Sequence, residues 1–127
     1  MTVGVSSCRD LTVWKTSMEL ARGIYALTRD FPAREACGLT SQVQRAAVSI
    51  PANIAEGHAR SSTKEFLHHL SIARGSLAEL ETLLLLAVQL DYCGPTGTKE
   101  IRQQCDEVSR MLSGLRKRLK ERIDGNH

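Results

Sequence analysis

Basic residues recur every seven positions at Lys15, Arg22 and Arg29, a spacing that lines one side of a helix with fixed cations. Together with Arg9 they form a candidate phosphate-binding ridge, because nucleic-acid affinity begins with cations set against the backbone. A plain solvated face explains the same spacing. The densest cluster is Arg116-Lys117-Arg118-Leu119-Lys120-Glu121-Arg122, in which Arg116, Lys117 and Lys120 are the candidates for an RNA patch. Cations in the last turns of a helix are also favoured by the helix dipole alone. Few aromatics accompany either cluster, so base stacking is not suggested.

The remaining reactive residues point away from catalysis. His68 and His69 neighbour Glu65, but a metal centre needs more ligands converging on one face, and interface or exposed histidines fit better. Glu79 and Glu81 stand two apart on a helix and point in different directions, so they read as salt-bridge formers rather than paired catalytic carboxylates. No serine sits in a nucleophile-elbow pattern. The segment GPTGTK lacks the spacing and preceding strand of a phosphate loop. Cys8, Cys37, Cys93 and Cys105 form no CxxC and have no histidine at zinc-finger spacing. The expectation is a protein without catalytic residues, cofactor, metal or small-molecule substrate.

The chain has 127 residues, enough for one domain, with 42% hydrophobic, 24% charged and only 4% aromatic residues. An aliphatic core with three prolines favours helices. The net charge of +3 permits an anionic partner without demanding one. It is distributed as +2 over residues 1–61, −2 over 62–95 and +3 over 96–127. The N-terminus MTVGVSSCRD lacks the apolar centre of a secretory signal. The longest apolar run, Leu83 to Val88, falls far short of the ~20 residues of a membrane span. These features predict a cytoplasmic protein in a reducing setting, with no membrane partner.

Four helical stripes must position the candidate residues. Residues 1–9 read as a flexible leader, 10–123 as the folded body and 124–127 as a frayed end. The first stripe runs from Asp10, a candidate cap, to Arg29 on Val13, Leu20, Ile24 and Leu27. Asp30-Phe31-Pro32 breaks it. The second starts near Ala33 to Glu35 and closes at Gly57, read as a left-handed cap. The third opens with the capping-box pattern Ser62-Thr63-Lys64-Glu65 and continues on Phe66, Leu70, Ala73, Leu77, Leu80, Leu84 and Ala87. Cys93-Gly94-Pro95 stops it. The fourth begins near Thr96 to Thr98 and uses Ile101, Cys105, Val108, Leu112, Leu115 and Leu119. Short links between long helices predict an all-α, antiparallel up-down-up-down four-helix bundle.

One stretch resists this scheme. In SIPANIAEG, Pro51 falls where Leu39, Val43, Ala46, Ile50 and Ile54 keep helical phase across it. A proline inside a helix removes a donor and crowds the carbonyl four residues back, here Ala47, at a cost of ~3 kcal/mol. The unbroken phase and the lack of turn residues before Pro51 predict a continuous helix kinked there, rather than two helices. Small neighbours allow a second backbone to approach. Ala47, Pro51, Asn53, Glu56 and Arg60 are therefore candidates for a close-packed seam, within a subunit or between subunits. A kinked helix whose polar residues merely face water accounts for the same pattern.

The stretches LTVWKTSMELARGIYALTRDFP, EACGLTSQVQRAAVSIPANIAEGHAR and FLHHLSIARGSLAELETLLLLAVQLDY together resemble the 23S rRNA intervening-sequence protein family. That group includes the accessory variability protein of diversity-generating retroelements. Cys37 stands where the family usually carries an aromatic. The resemblance implies an antiparallel four-helix bundle assembled as a ring-like homopentamer. For the retroelement relatives it also implies binding to nucleic acid and to a reverse transcriptase. The reading is thus a non-enzymatic homo-oligomeric bundle that binds RNA or an RNA–protein complex through Lys15, Arg22, Arg29, Arg116, Lys117 and Lys120. The alternative is a structural scaffold or protein-interaction module with no nucleic-acid role.

Overall fold

The computed structural model describes residue 9 and residues 11–125. The candidate cap Asp10, Cys8 with the rest of the leader before Arg9, and residues 126 and 127 lie outside the described residues. Four helices make up the fold: α1 Thr12–Thr28, α2 Leu39–Ala59, α3 Thr63–Gln89 and α4 Lys99–Asp124, with a short 3-10 turn at Ala33–Glu35. Helices α1 and α3 each pack on α2 and α4, while the diagonal pairs do not touch. Cross-helix neighbours give the direction. Ser49 meets Ser76, Asn53 meets His69 and Gly57 meets Phe66, so α2 and α3 run antiparallel. Arg116 reaching Ser71 and Asp106 facing Glu81 make α3 and α4 antiparallel. Gly23 lies against Ile101, and the residues from Leu11 to Val13 against Gly114 and Leu115, which does the same for α1 and α4. Helix α1 is then antiparallel to α2 as well.

The predicted stripes supply the core. Leu20, Ile24, Val43, Ala47, Ile50, Ile54, Leu70, Leu80, Val108 and Leu112 are completely buried. Each Leu, Ile or Val among them gains about 1.5–3 kcal/mol on leaving water, which is what holds the four helices together. Helix α2 runs unbroken through Pro51, with Ile50 and Ile54 both buried on either side of it.

The ends differ from the sequence expectations in instructive ways. Helix α1 starts after Leu11, which makes no side-chain cap. The second helix begins at Leu39 because Glu35 stays outside it, its Oε1 accepting the Leu39 amide at 3.1 Å. A Cβ on Gly38 would lie 2.8 Å from that same Oε1, so glycine leaves room for the cap. Gly57 does not close α2. It is buried inside the helix, which continues to Ala59. Only half of the capping box forms: the Glu65 amide donates to Ser62 Oγ at 3.1 Å, and among the described residues the Ser62 amide donates no bond back to the Glu65 carboxylate.

Helix α3 stops before the Cys93-Gly94-Pro95 breaker. Asp91 takes a left-handed φ of 62°, the Tyr92 amide donates to the Ala87 carbonyl and the Asp91 amide to Val88. This is the bond pair of a Schellman ending, with aspartate in the place glycine usually takes. The Tyr92 side chain secures the turn from outside. Its hydroxyl donates to Glu35 Oε2 at 2.7 Å, its ring lies 5.7 Å from that of Phe31, and the Arg34 guanidinium sits over it. Helix α4 reaches Asp124, one residue into the stretch read as frayed, and the Gly125 amide bonds to the Glu121 carbonyl.

Candidate functional site

The SIPANIAEG stretch forms one side of a polar seam between α2 and α3. Positions 49, 53, 56 and 60 follow one another by a helical turn, so their side chains share a face. Asn53 Nδ2 donates to the Ser49 carbonyl at 2.9 Å and to Ser49 Oγ at 3.0 Å. Ser49 Oγ lies 2.7 Å from Ser76 Oγ on α3. With its amide nitrogen so engaged, Asn53 turns Oδ1 towards α3, where His69 Nδ1 lies at 3.2 Å and must be the donor. On the other side of that ring Nε2 faces Glu56 Oε2 at 3.9 Å. Arg60 closes the row with a 2.7 Å bond to the same carboxylate oxygen. The Arg60 bond, and then the nearby His69, hold the Glu56 carboxyl below the usual carboxylate range.

Gly57 explains why the row can be so tight. A Cβ there would fall 2.7 Å from His69 Cβ and 2.9 Å from Phe66 Cδ1, so the two helices meet where α2 has no side chain. Ala47 and Pro51 are buried on the core side. The five seam candidates therefore divide: Asn53 and Glu56 contact His69 on α3, Ala47 and Pro51 pack into the core, and exposed Arg60 acts through Glu56. The α3 partners Ser76 and His69 were not assigned to this seam from sequence. Their signal lay in the hairpin itself, since paired positions in antiparallel neighbours have nearly constant sums. Chemically the row is a lock. Ser49 Oγ bonds to Asn53 and Ser76, not to the imidazole, so no serine–histidine nucleophile pair exists here.

The basic candidates fall into two places. Lys15 lies near the start of α1, at the end of the bundle where α4 finishes. A groove of about 420 Å³ opens there between Leu11, Thr12 and Val13 of α1 and Arg110, Met111, Gly114, Leu115 and Arg118 of α4. Lys117 and Lys120 are exposed on α4, whereas Arg116 is half-buried and leans on α3, its nitrogen 3.5 Å from Ser71 Oγ. Arg22 and Arg29 extend away along the outside of α1, roughly 10 and 20 Å from Lys15. Among the described residues, Lys15, Arg22, Arg29, Arg116, Lys117 and Lys120 form no ion pair.

One other expectation needs correction. Glu79 and Glu81 make no salt bridge among the described residues. Burial, with Asp106 opposite, pushes the Glu81 carboxyl above its ordinary range. Cys105 lies in the core, and burial pushes its thiol up to about 12. Among the described residues no three His, Cys, Asp or Glu side chains gather into a metal site. No described helix is long and apolar enough to cross a membrane.

Comparison with known proteins agrees with this architecture. The chain is similar to a protein of unknown function from the S23 ribosomal protein family of Bacteroides thetaiotaomicron VPI-5482. That crystal structure shares 26% identity and a TM-score of 0.75, over 84% of this chain and 99% of the other. No curated protein matches the chain significantly. The profile for the 23S rRNA-intervening sequence protein matches residues 9–114, which takes in α1, α2, α3 and more than half of α4. The chain therefore belongs to the 23S rRNA-intervening sequence protein family.

Proposed function

We propose that the protein is a non-enzymatic, self-assembling cytoplasmic bundle, a homopentamer as its resemblance implies, that binds RNA at the end formed by α1 and the last turns of α4. The observation that carries this reading is the basic lining of the groove at that end, Arg110 and Arg118 of α4 against the start of α1, with Lys117 and Lys120 exposed in the same turns of α4 and none of the four in an ion pair among the described residues. Cations left unpaired at one end of a small domain form an electrostatic footprint for phosphates. The family description, which names its members after an intervening sequence of 23S rRNA, is in keeping with RNA as the anion. Assembly would repeat the basic end in every copy and so strengthen a field that is weak in one chain.

A fluorescence-anisotropy titration of a labelled structured RNA tests the proposal. The variant carrying Arg116→Glu, Lys117→Glu and Lys120→Glu should bind at least about tenfold more weakly than the parent at the same salt. Unchanged RNA affinity in that variant, or no binding by the parent at low salt, would leave the scaffold reading in its place.

A further inference from the structure

The outer face of α1 carries more than cations. Lys15, Met18, Arg22, Tyr25 and Arg29 alternate three and four residues apart and all are exposed, Met18 by 40% and Tyr25 by 46%. Large apolar side chains set between unpaired cations suit a protein surface better than a phosphate backbone, which offers them nothing to bury against. The outer face of α3 has the opposite character. Glu65, Ile72, Glu79 and Leu86 recur every seven residues, again all exposed, with Ile72 at 39% and Leu86 at 42%. Neither Glu65 nor Glu79 forms an ion pair among the described residues. Fourteen residues separate Lys15 from Arg29 and also Glu65 from Glu79. Both charge pairs are therefore spaced by about 21 Å along their helices.

These stripes cannot satisfy each other within one chain, because α1 and α3 are diagonal and do not touch. We infer that the basic, apolar face of α1 docks on the acidic, apolar face of α3 in a second copy of this chain. The contact is head-to-tail: every copy offers one face and receives on the other, the arrangement that closes into a ring or runs on as a filament. This inference rests on the self-assembly in the proposed function and supplies its interface. It also withdraws Lys15, Arg22 and Arg29 from the RNA surface and leaves that role to the α4 cations.

The test uses four proteins in size-exclusion chromatography with light scattering: the parent, Lys15→Glu/Arg29→Glu, Glu65→Lys/Glu79→Lys, and all four changes together, each checked for helicity by circular dichroism. Either reversed pair sets like charges against each other and should weaken association about tenfold or more. The fourfold variant exchanges the signs of the two charge pairs that match in spacing, so it should regain the parent's mass. A parent that assembles while both reversed pairs assemble equally well would overturn the interface but not the assembly. Dissociation of the pairs without rescue in the fourfold variant would overturn the α1–α3 match. A monomeric parent at all concentrations would remove the assembly and the interface together.

Discussion

Replacing Gly57 by alanine is expected to destabilise the bundle even though alanine is the better helix former. The added Cβ would lie 2.7 Å from His69 Cβ and 2.9 Å from Phe66 Cδ1, while Phe66 O stands at 3.3 Å. Carbon atoms in good contact are about 3.5–4.0 Å apart, so α2 and α3 must separate by roughly 1 Å. His69 Cβ is anchored to its backbone and cannot swing aside. Overpacking of this kind costs about 1–3 kcal/mol. Relieving a glycine inside a helix returns about 1 kcal/mol. The net is a loss of up to about 2 kcal/mol, a fall in melting temperature of up to roughly 10 °C for a domain of this size. Gly75→Ala is the control, because an added Cβ on exposed Gly75 meets nothing within 4 Å. That variant should gain about 0.5–1 kcal/mol. Both are measured by thermal and urea unfolding at one protein concentration, since assembly makes stability concentration-dependent. Gly57→Asn separates close contact from a left-handed cap: a cap tolerates asparagine, whereas a crowded seam suffers more from it than from alanine. A Gly57→Ala protein as stable as Gly75→Ala would refute the reasoning.

Asn53→Ala removes the bonds to Ser49 and His69 in a half-buried seam, and urea unfolding should show a loss of about 1–2 kcal/mol. Glu81→Gln tests the carboxyl that burial and Asp106 push upward. A raised folded-state value means the stabilising contribution is complete below the ordinary range and is lost as pH rises through the raised value. The glutamine protein should therefore match or exceed the parent at pH 7, by about 0.5 kcal/mol or less for so exposed a group, and the gap should close below about pH 4. Cys105, buried with its thiol held up at about 12, should resist iodoacetamide in the native protein and react on unfolding, whereas exposed Cys37 should label readily. Peptide mapping by mass spectrometry reads both sites.

The core was legible because aliphatic periodicity records burial directly: Leu70, Ala73, Leu77, Leu80, Leu84 and Ala87 are the buried face of α3. Continuity through Pro51 was legible for the same reason, since Ile50 and Ile54 keep phase and both are buried. Where tertiary contacts decide, the pattern misled. Gly57 looked like a helix stop, yet its missing side chain serves the neighbouring helix rather than its own backbone. Asp91 adopts a left-handed conformation that its residue type does not announce, with Tyr92 tied to Glu35 fifty-seven positions away. Asn53 and Glu56 stood out as polar residues beside a proline, but their partner His69 emerged only with the pairing of α2 and α3. The basic residues show the same limit. Their seven-residue spacing was plain, whereas the division between the α4 end and the outer face of α1 required the packing.

The salt dependence of RNA binding tests the central claim most directly. Each phosphate contact adds nearly one to the slope of log affinity against log salt concentration. Comparing the parent with the Lys117→Ala/Lys120→Ala variant should give a parent affinity that falls steeply with salt and a variant slope shallower by about 2. A parent that ignores RNA at low salt, or a variant with an unchanged slope, would contradict a phosphate-binding role for the α4 end.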